Sequence, residues 1–338
     1  HDLLLMQHAT NFGSLIIPHT HISEIERVLV KLTQFLPDSD VFQRSNVEAI
    51  IGSLNRLKLL AQKFHCLVAN PPYMGFSKMN LELSSYLRIE YQESKQDLMT
   101  SFMDRSNIFL IENGYFSMIN LPSWMFLSSF EEFRKKFLVD NNIVSLLHLG
   151  RGIFGADFGT VAFSCKKSSN IAVSGVYRRL FKEHVQVRKT EEIRRLFLNT
   201  TYGYYTAKQK DFLKISGAPI AYWASKRIKD IFINSEELSK YADSFQGIIT
   251  GNNEKLLRYW FEINSTLTDF QAKDFNSVEL SKAYWFPYNK GGKFRKWYGN
   301  HDYVINWKTK GVDFTRGKNS FSKYFFKEYF SWTYLSSS

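Results

Sequence analysis

Cysteine is scarce in this 338-residue sequence: Cys66 and Cys165 are the only two, each within an apolar run and neither in metal-ligand spacing. That excludes a disulfide framework and points to a reducing, intracellular setting. No apolar run approaches the ~18 residues of a membrane helix, and the N-terminus lacks the charged-then-apolar pattern of a signal peptide. A cytoplasmic protein with no membrane partner is therefore expected. His8, His19 and His21 come nearest to a metal cluster, but unpaired histidines near a terminus read as solvated surface, so no metal is expected. There is no leading Met, and His1 falls in an apolar stretch, so the chain is expected to be a piece of a longer one. Acidic residues are sparse in two basic stretches. Lys and Arg outnumber Asp and Glu fifteen to four over 166–229 and eight to two over 290–318, within a net charge of +12. Such a stretch, interleaved with aromatics, suggests a polyanion-binding surface.

Hydrophobic residues make up 44% and aromatics 16%, a globular composition long enough for two domains. Apolar residues at 22, 25, 28, 29, 32 and 35 have helical spacing, and a second helix is predicted over 45–63. A strand follows at 64–69, then helices at 80–91 and from Asp97, the latter ending at Asn113-Gly114. Next come a strand at 115–120, a helix at 126–138, and strands at 143–149 and 160–166. The order predicts an α/β sheet with parallel crossovers, its last two strands paired as an antiparallel hairpin. The hairpin turn reads Gly150-Arg151-Gly152-Ile153-Phe154-Gly155. It matches a dinucleotide fingerprint by letters, but a strand follows where that motif needs a helix, so the glycines read as turn residues. Phe154 is left as an aromatic near the strand ends.

Asn70-Pro71-Pro72-Tyr73 follows the strand at 64–69, and two prolines cannot continue a ladder. Asn70 thus sits at the carboxyl end of a strand, where open α/β sheets place ligands. An amide oxygen and a bare proline carbonyl suit one task, accepting both N–H bonds of an adenine amine so that its lone pair turns to an electrophile. Tyr73 offers a face on which an extruded base stacks, and Phe154 is the candidate for the opposite face. The competing interpretation is a plain Pro-Pro turn. In the basic second half, Arg178, Arg179, Arg188, Lys189, Arg194 and Arg195 are expected on helices over 169–234. From about 235 the chain turns aromatic, glycine-punctuated and β-rich, with Lys290, Lys293, Arg295, Lys296 and Arg316 as candidates to hold DNA phosphates or read bases.

The tetrapeptide resembles the catalytic motif of methyltransferases that act on N6 of adenine in DNA. With residues 94–98, 122–129 and 285–299, the stretch 64–75 is similar to the PglX family, the adenine-specific DNA methyltransferases of BREX phage-defence systems. The resemblance implies S-adenosylmethionine as donor, double-stranded DNA and other defence-system proteins as partners, and a bacterial source. It implies a partial Rossmann-like methyltransferase core over 1–168, a basic helical connector over 169–234, and a target-recognition domain over 235–338. It places Asn70, Pro71, Pro72 and Tyr73 on the catalytic loop, Phe154 on the base-stacking aromatic, and Asp97 and Phe102, with Asn70, beside the cofactor pocket. One departure stands out: no Gly-rich cofactor loop occurs between His1 and Phe64. The strand at 64–69 is therefore expected at a sheet edge, with donor binding by this chain weak or absent. The runner-up is a non-catalytic DNA-binding or specificity module.

Overall fold

Residues 64–69 contain no turn former and run into two prolines, and they form strand β1 (Phe64–Ala69). The computed structural model describes residues 1–153, 158–182, 187–244, 247–292, 295, 298–309, 312, 314 and 324–331. Before β1 come helices α1 (Asp2–Met6), α2 (Ala9–Phe12), α3 (Ile22–Phe35) and α4 (Val41–Ala61). Asp40 caps α4, its carboxylate accepting the N–H groups of Phe42 and Gln43 at 2.8 Å. These helices meet α5 (Leu81–Glu90) in a core that includes Leu15, Ile16, Ile25, Leu57, Leu87 and Tyr91.

Beyond α5 the chain supplies α6 (Leu98–Phe109), β2 (Leu110–Asn120), α7 (Glu131–Asp140), β3 (Asn141–Arg151), β4 (Gly159–Lys167), β5 (Ser174–Arg179), α8 (Thr190–Leu198), β6 (Tyr204–Lys208) and α9 (Lys226–Asn234). The sheet order is β1-β2-β4-β3-β5-β6. β1 runs parallel to β2 and β3 parallel to β5, while β4 lies antiparallel between β2 and β3, as the hairpin predicts. β1 is an edge strand, also as expected. One face of the sheet is covered by α6 and α7, whose Met99, Met103, Phe133 and Phe137 pack on Phe116, Met118 and Phe163. Each such side chain contributes about 1.5–3 kcal/mol on burial. The other face carries smaller residues, among them Val68, Ser117, Ala162, Ser164 and Ser145, which line a groove of about 610 Å³.

Two expectations are corrected. Asn113-Gly114 does not end a helix, because α6 stops at Phe109 and β2 begins at once. The pair forms an irregularity within β2, where the register against β1 slips between Phe64 and Cys66 and Asn113 takes φ 64°. A Cβ on Gly114 would stand 3.0 Å from the Ile111 carbonyl oxygen and 3.1 Å from that of His65, so a side chain there would press on two backbone carbonyls. Nor is 169–234 a helical connector, since β5 and β6 extend the same sheet. Tyr177 turns inward and is fully buried while its neighbours Val176 and Arg178 are half-buried, an alternation of period two that places Arg178 and Arg179 on a strand.

The chain divides into two compact units, His1–Ser235 and Glu236–Ser338. The second unit holds α10 (Asn253–Leu256), β7 (Leu257–Tyr259), α11 (Phe275–Leu280), β8 (Trp285–Tyr288) and β9 (Tyr303–Asn306). Its strands form an antiparallel sheet of order β7-β9-β8 over a core of Leu256, Leu257, Phe286, Ile305 and Trp307.

Candidate active site

Asn70 leaves the end of β1 exposed, Pro71 is buried beneath it, and Tyr73 turns back half-buried against the core under the sheet. The Tyr73 hydroxyl lies 2.8 Å from the Ile119 carbonyl oxygen near the end of β2, and 3.1 Å from Asn70 Oδ1. A phenol has one proton, and the shorter contact makes Ile119 its main acceptor. Burial raises the Tyr73 pKa, so the phenol stays a neutral donor. The ring edge meets Phe158 at 6.1 Å between centroids and 82°.

The chain after Tyr73 is fastened to the start of α6. Asp97 Oδ1 accepts from Met74 N–H at 3.1 Å and from Met99 N–H at 3.0 Å, the second bond capping the helix. Leu98 N–H donates to the Met74 carbonyl and Phe76 N–H to that of Gln96, each at 3.0 Å. Asp97 is buried, and desolvation raises its pKa despite the two N–H donors that lower it. Phe102, one turn along α6, packs against the core under the sheet and the core of the N-terminal helices.

Asn70, Pro71, Pro72, Tyr73 and Asp97 thus come together at the carboxyl ends of β1 and β2. Phe154 lies outside the described residues, as do Lys293, Lys296 and Arg316. Phe158 and the Ile119 carbonyl are the parts of this corner that sequence reasoning did not single out. The only hint of Phe158 was a second aromatic in the hairpin turn.

The basic residues divide by role. Arg178 donates to the Asn199 carbonyl at 2.7 Å and to those of Leu196 and Phe197 at 3.1 Å, closing the C-terminus of α8. Arg179 lies over the rings of Phe181, Tyr205 and Trp223, 5.5–5.9 Å from their centroids. Arg194 and Arg195 stand exposed on α8, and in the second unit Lys290 and Arg295 are exposed, Lys290 Nζ lying 4.6 Å from the Tyr303 ring centre. Among the described residues no group of three His, Cys, Asp or Glu is placed to hold a metal, and no helix is long and apolar enough to cross a membrane.

β1 is the sheet edge, and the glycines of residues 1–63 are Gly13, at the end of α2, and Gly52, within α4.

The Eco57I restriction-modification methylase family matches residues 10–154. The chain is 32% identical to the adenine-specific methyltransferase BrxX of Escherichia coli O9:H4 (strain HS), over 99% of this chain and 27% of that protein. It is 38% identical to the adenine-specific methyltransferase PglX of Lacticaseibacillus casei (strain Zhang), over 83% of this chain and 24% of that one. The chain therefore spans about a quarter of the length of these relatives. Among solved structures it is similar to the ATP-dependent Type ISP restriction-modification enzyme LlaBIII bound to DNA, with a TM-score of 0.42 and 16% identity over 69% of this chain and 17% of that one.

Proposed function

The chain is a homologue of the PglX and BrxX adenine-specific methyltransferases over most of its length, and from that premise we propose that it forms the base-binding part of a DNA adenine-N6 methyltransferase of bacterial phage defence. The observation that carries this reading is the corner at the end of β1, where Asn70 stands exposed beside a tyrosine hydroxyl anchored on the Ile119 carbonyl.

Target adenine leaves the duplex and enters this corner. Asn70 Oδ1 and the Pro71 carbonyl accept the two N–H bonds of its amine, and the lone pair turns away from the ring. Because the Tyr73 proton goes mainly to Ile119, the Asn70 oxygen keeps its lone pairs for the amine. Tyr73 stacks on one face of the base and Phe154 on the other. The lone pair is itself the nucleophile, so no general base has to touch the amine first; the new N–C bond would replace the methyl's bond to sulfur, the neutral thioether would leave, and the amine would then give one proton to water. The donor implied by the relationship, S-adenosylmethionine, supplies a methyl group made electrophilic by a sulfonium, and Asn70 and Phe102 border its side. Arg194, Arg195, Lys290 and Arg295, with Lys293, Lys296 and Arg316, hold the DNA backbone. The unit from 236 onward reads the target sequence, and other proteins of the defence system are partners.

In the full-length enzyme, Asn70→Ala should cut methyl incorporation from labelled donor into unmethylated DNA by on the order of 10²–10³-fold. DNA affinity should change by less than about threefold, as expected when phosphate contacts dominate it. An Asn70→Ala enzyme that still methylates at the wild-type rate refutes the reading. The exposed Arg194 and Arg195 on α8 fit a second reading equally, a non-catalytic DNA-binding module, which predicts no transfer by the wild type either.

A further inference from the structure

We propose that Asp97 is a positioning residue whose single carboxyl oxygen clamps the Asn-Pro-Pro-Tyr loop to the N-terminus of α6 and thereby sets the pose of Asn70. The inference rests on the methyltransferase reading and deepens it. It starts from a difficulty in the loop itself: Pro71 and Pro72 offer no N–H, so the segment carrying Asn70 cannot be held by a ladder. The next backbone donor after Tyr73 is Met74, four residues past Asn70, and Asp97 Oδ1 takes it at 3.1 Å. The same oxygen takes Met99 N–H at 3.0 Å, so one atom joins the loop to the first turn of the helix. An antiparallel bridge between Gly75 and Asp97, with Leu98 N–H donating to Met74 and Phe76 N–H to Gln96, extends the clamp on both sides.

The helix is a firm anchor, since Met99 and Met103 are fully buried in the core under the sheet and Leu98 in the core of the N-terminal helices. A displacement of Asp97 would therefore reach Asn70 through four residues. Asp97 Oδ2 makes no hydrogen bond among the described residues and borders Gly75, where a Cβ would stand 3.9 Å away in ordinary contact. Two N–H bonds onto one oxygen need lone pairs, not charge, and a carboxamide supplies them equally. Burial raises the Asp97 pKa, which agrees with a site that does not draw on the negative charge. On this account Asp97 orients the acceptor side and does not hold the donor by its charge.

The test uses the full-length enzyme with labelled S-adenosylmethionine and unmethylated DNA, and Asn70→Ala run in parallel. Asp97→Ala should lower kcat by roughly 30–100-fold, the scale of an ångström-level misplacement. Its KM for the donor should stay within about threefold, because uniform binding is not removed. Asp97→Asn should restore kcat to within about threefold of wild type, the amide oxygen replacing Oδ1. Hydrogen exchange of the peptide spanning 70–76 should speed up in Asp97→Ala and return to wild-type protection in Asp97→Asn, a readout that remains if turnover is lost. Wild-type kcat in Asp97→Ala, failure of Asp97→Asn to restore kcat and protection, or a raised donor KM in Asp97→Asn overturns the inference. If Asn70→Ala is also fully active, the methyltransferase reading itself falls.

Discussion

His148 shows how far burial moves a titrating side chain in this fold. Its ring is stacked near Phe126 at 6.3 Å and meets the edge of Phe181 at 4.9 Å, and its Nδ1 lies 3.2 Å from the Tyr222 hydroxyl. Desolvation first, and then the nearby Arg179 guanidinium, push its pKa down to about 4. The folded chain thus keeps this imidazole neutral while the unfolded chain protonates it near pH 6.5. Between those values the unfolded state binds more protons, so stability falls as pH is lowered. From pH 7 to pH 5 the loss from this one group is about 2 kcal/mol. His148→Phe should remove that dependence, so its Tm should fall by some 4–8 °C less than the wild type's over the same pH change. Equal falls in thermal unfolding scans would show that His148 is not the titrating group. What the sequence made legible at this scale was local: Asn70 to Tyr73 lie in one loop, so their order along the chain already places them together. Ile119 and Phe158 meet Tyr73 only because β1, β2 and the β3–β4 hairpin share a sheet, and no spacing along the chain records that.

Among the elements, β1, α6 and the β3–β4 hairpin follow from apolar runs, caps and short connections, which are local causes. β5 does not. Its two arginines and the charged stretch after it suggest a helix surface, yet the strand is selected by the open side of β3, to which Ser145–His148 pair in parallel with Val176–Arg179. That placement changes what Arg178 does. Its guanidinium serves several carbonyls at the end of α8 and so fastens that helix beside the sheet. Arg178→Met should cost about 2 kcal/mol in urea unfolding, the scale of lost charge-assisted hydrogen bonds at a helix terminus. Arg194→Met, on the exposed side of the same helix, should stay within about 0.5 kcal/mol of wild type. Equal stability of the two variants would show that Arg178 faces solvent and is free for DNA.

At the scale of the whole molecule the net charge of +12 is a statement about partners, and salt dependence is how it is read. Phosphate neutralisation releases counterions, so log K falls linearly with log salt at about −0.9 per contact. If the seven cations assigned to the DNA backbone, Arg194, Arg195, Lys290, Lys293, Arg295, Lys296 and Arg316, each neutralise one phosphate, the slope for this chain on duplex DNA is about −6.3. Affinity should then drop by roughly 10⁴-fold between 50 and 200 mM salt. Replacing Arg194 and Arg195 by Ala should make the slope shallower by about 1.8 in fluorescence-anisotropy titrations, and Asn70→Ala should leave it unchanged. A slope near zero would mean that the basic stretches are only a solvated face. An unchanged slope in the double variant would move the DNA path away from α8. Because the slope counts ionic contacts and is blind to methyl transfer, it separates DNA binding from catalysis, and a steep slope stands whichever way the Asn70 experiment falls.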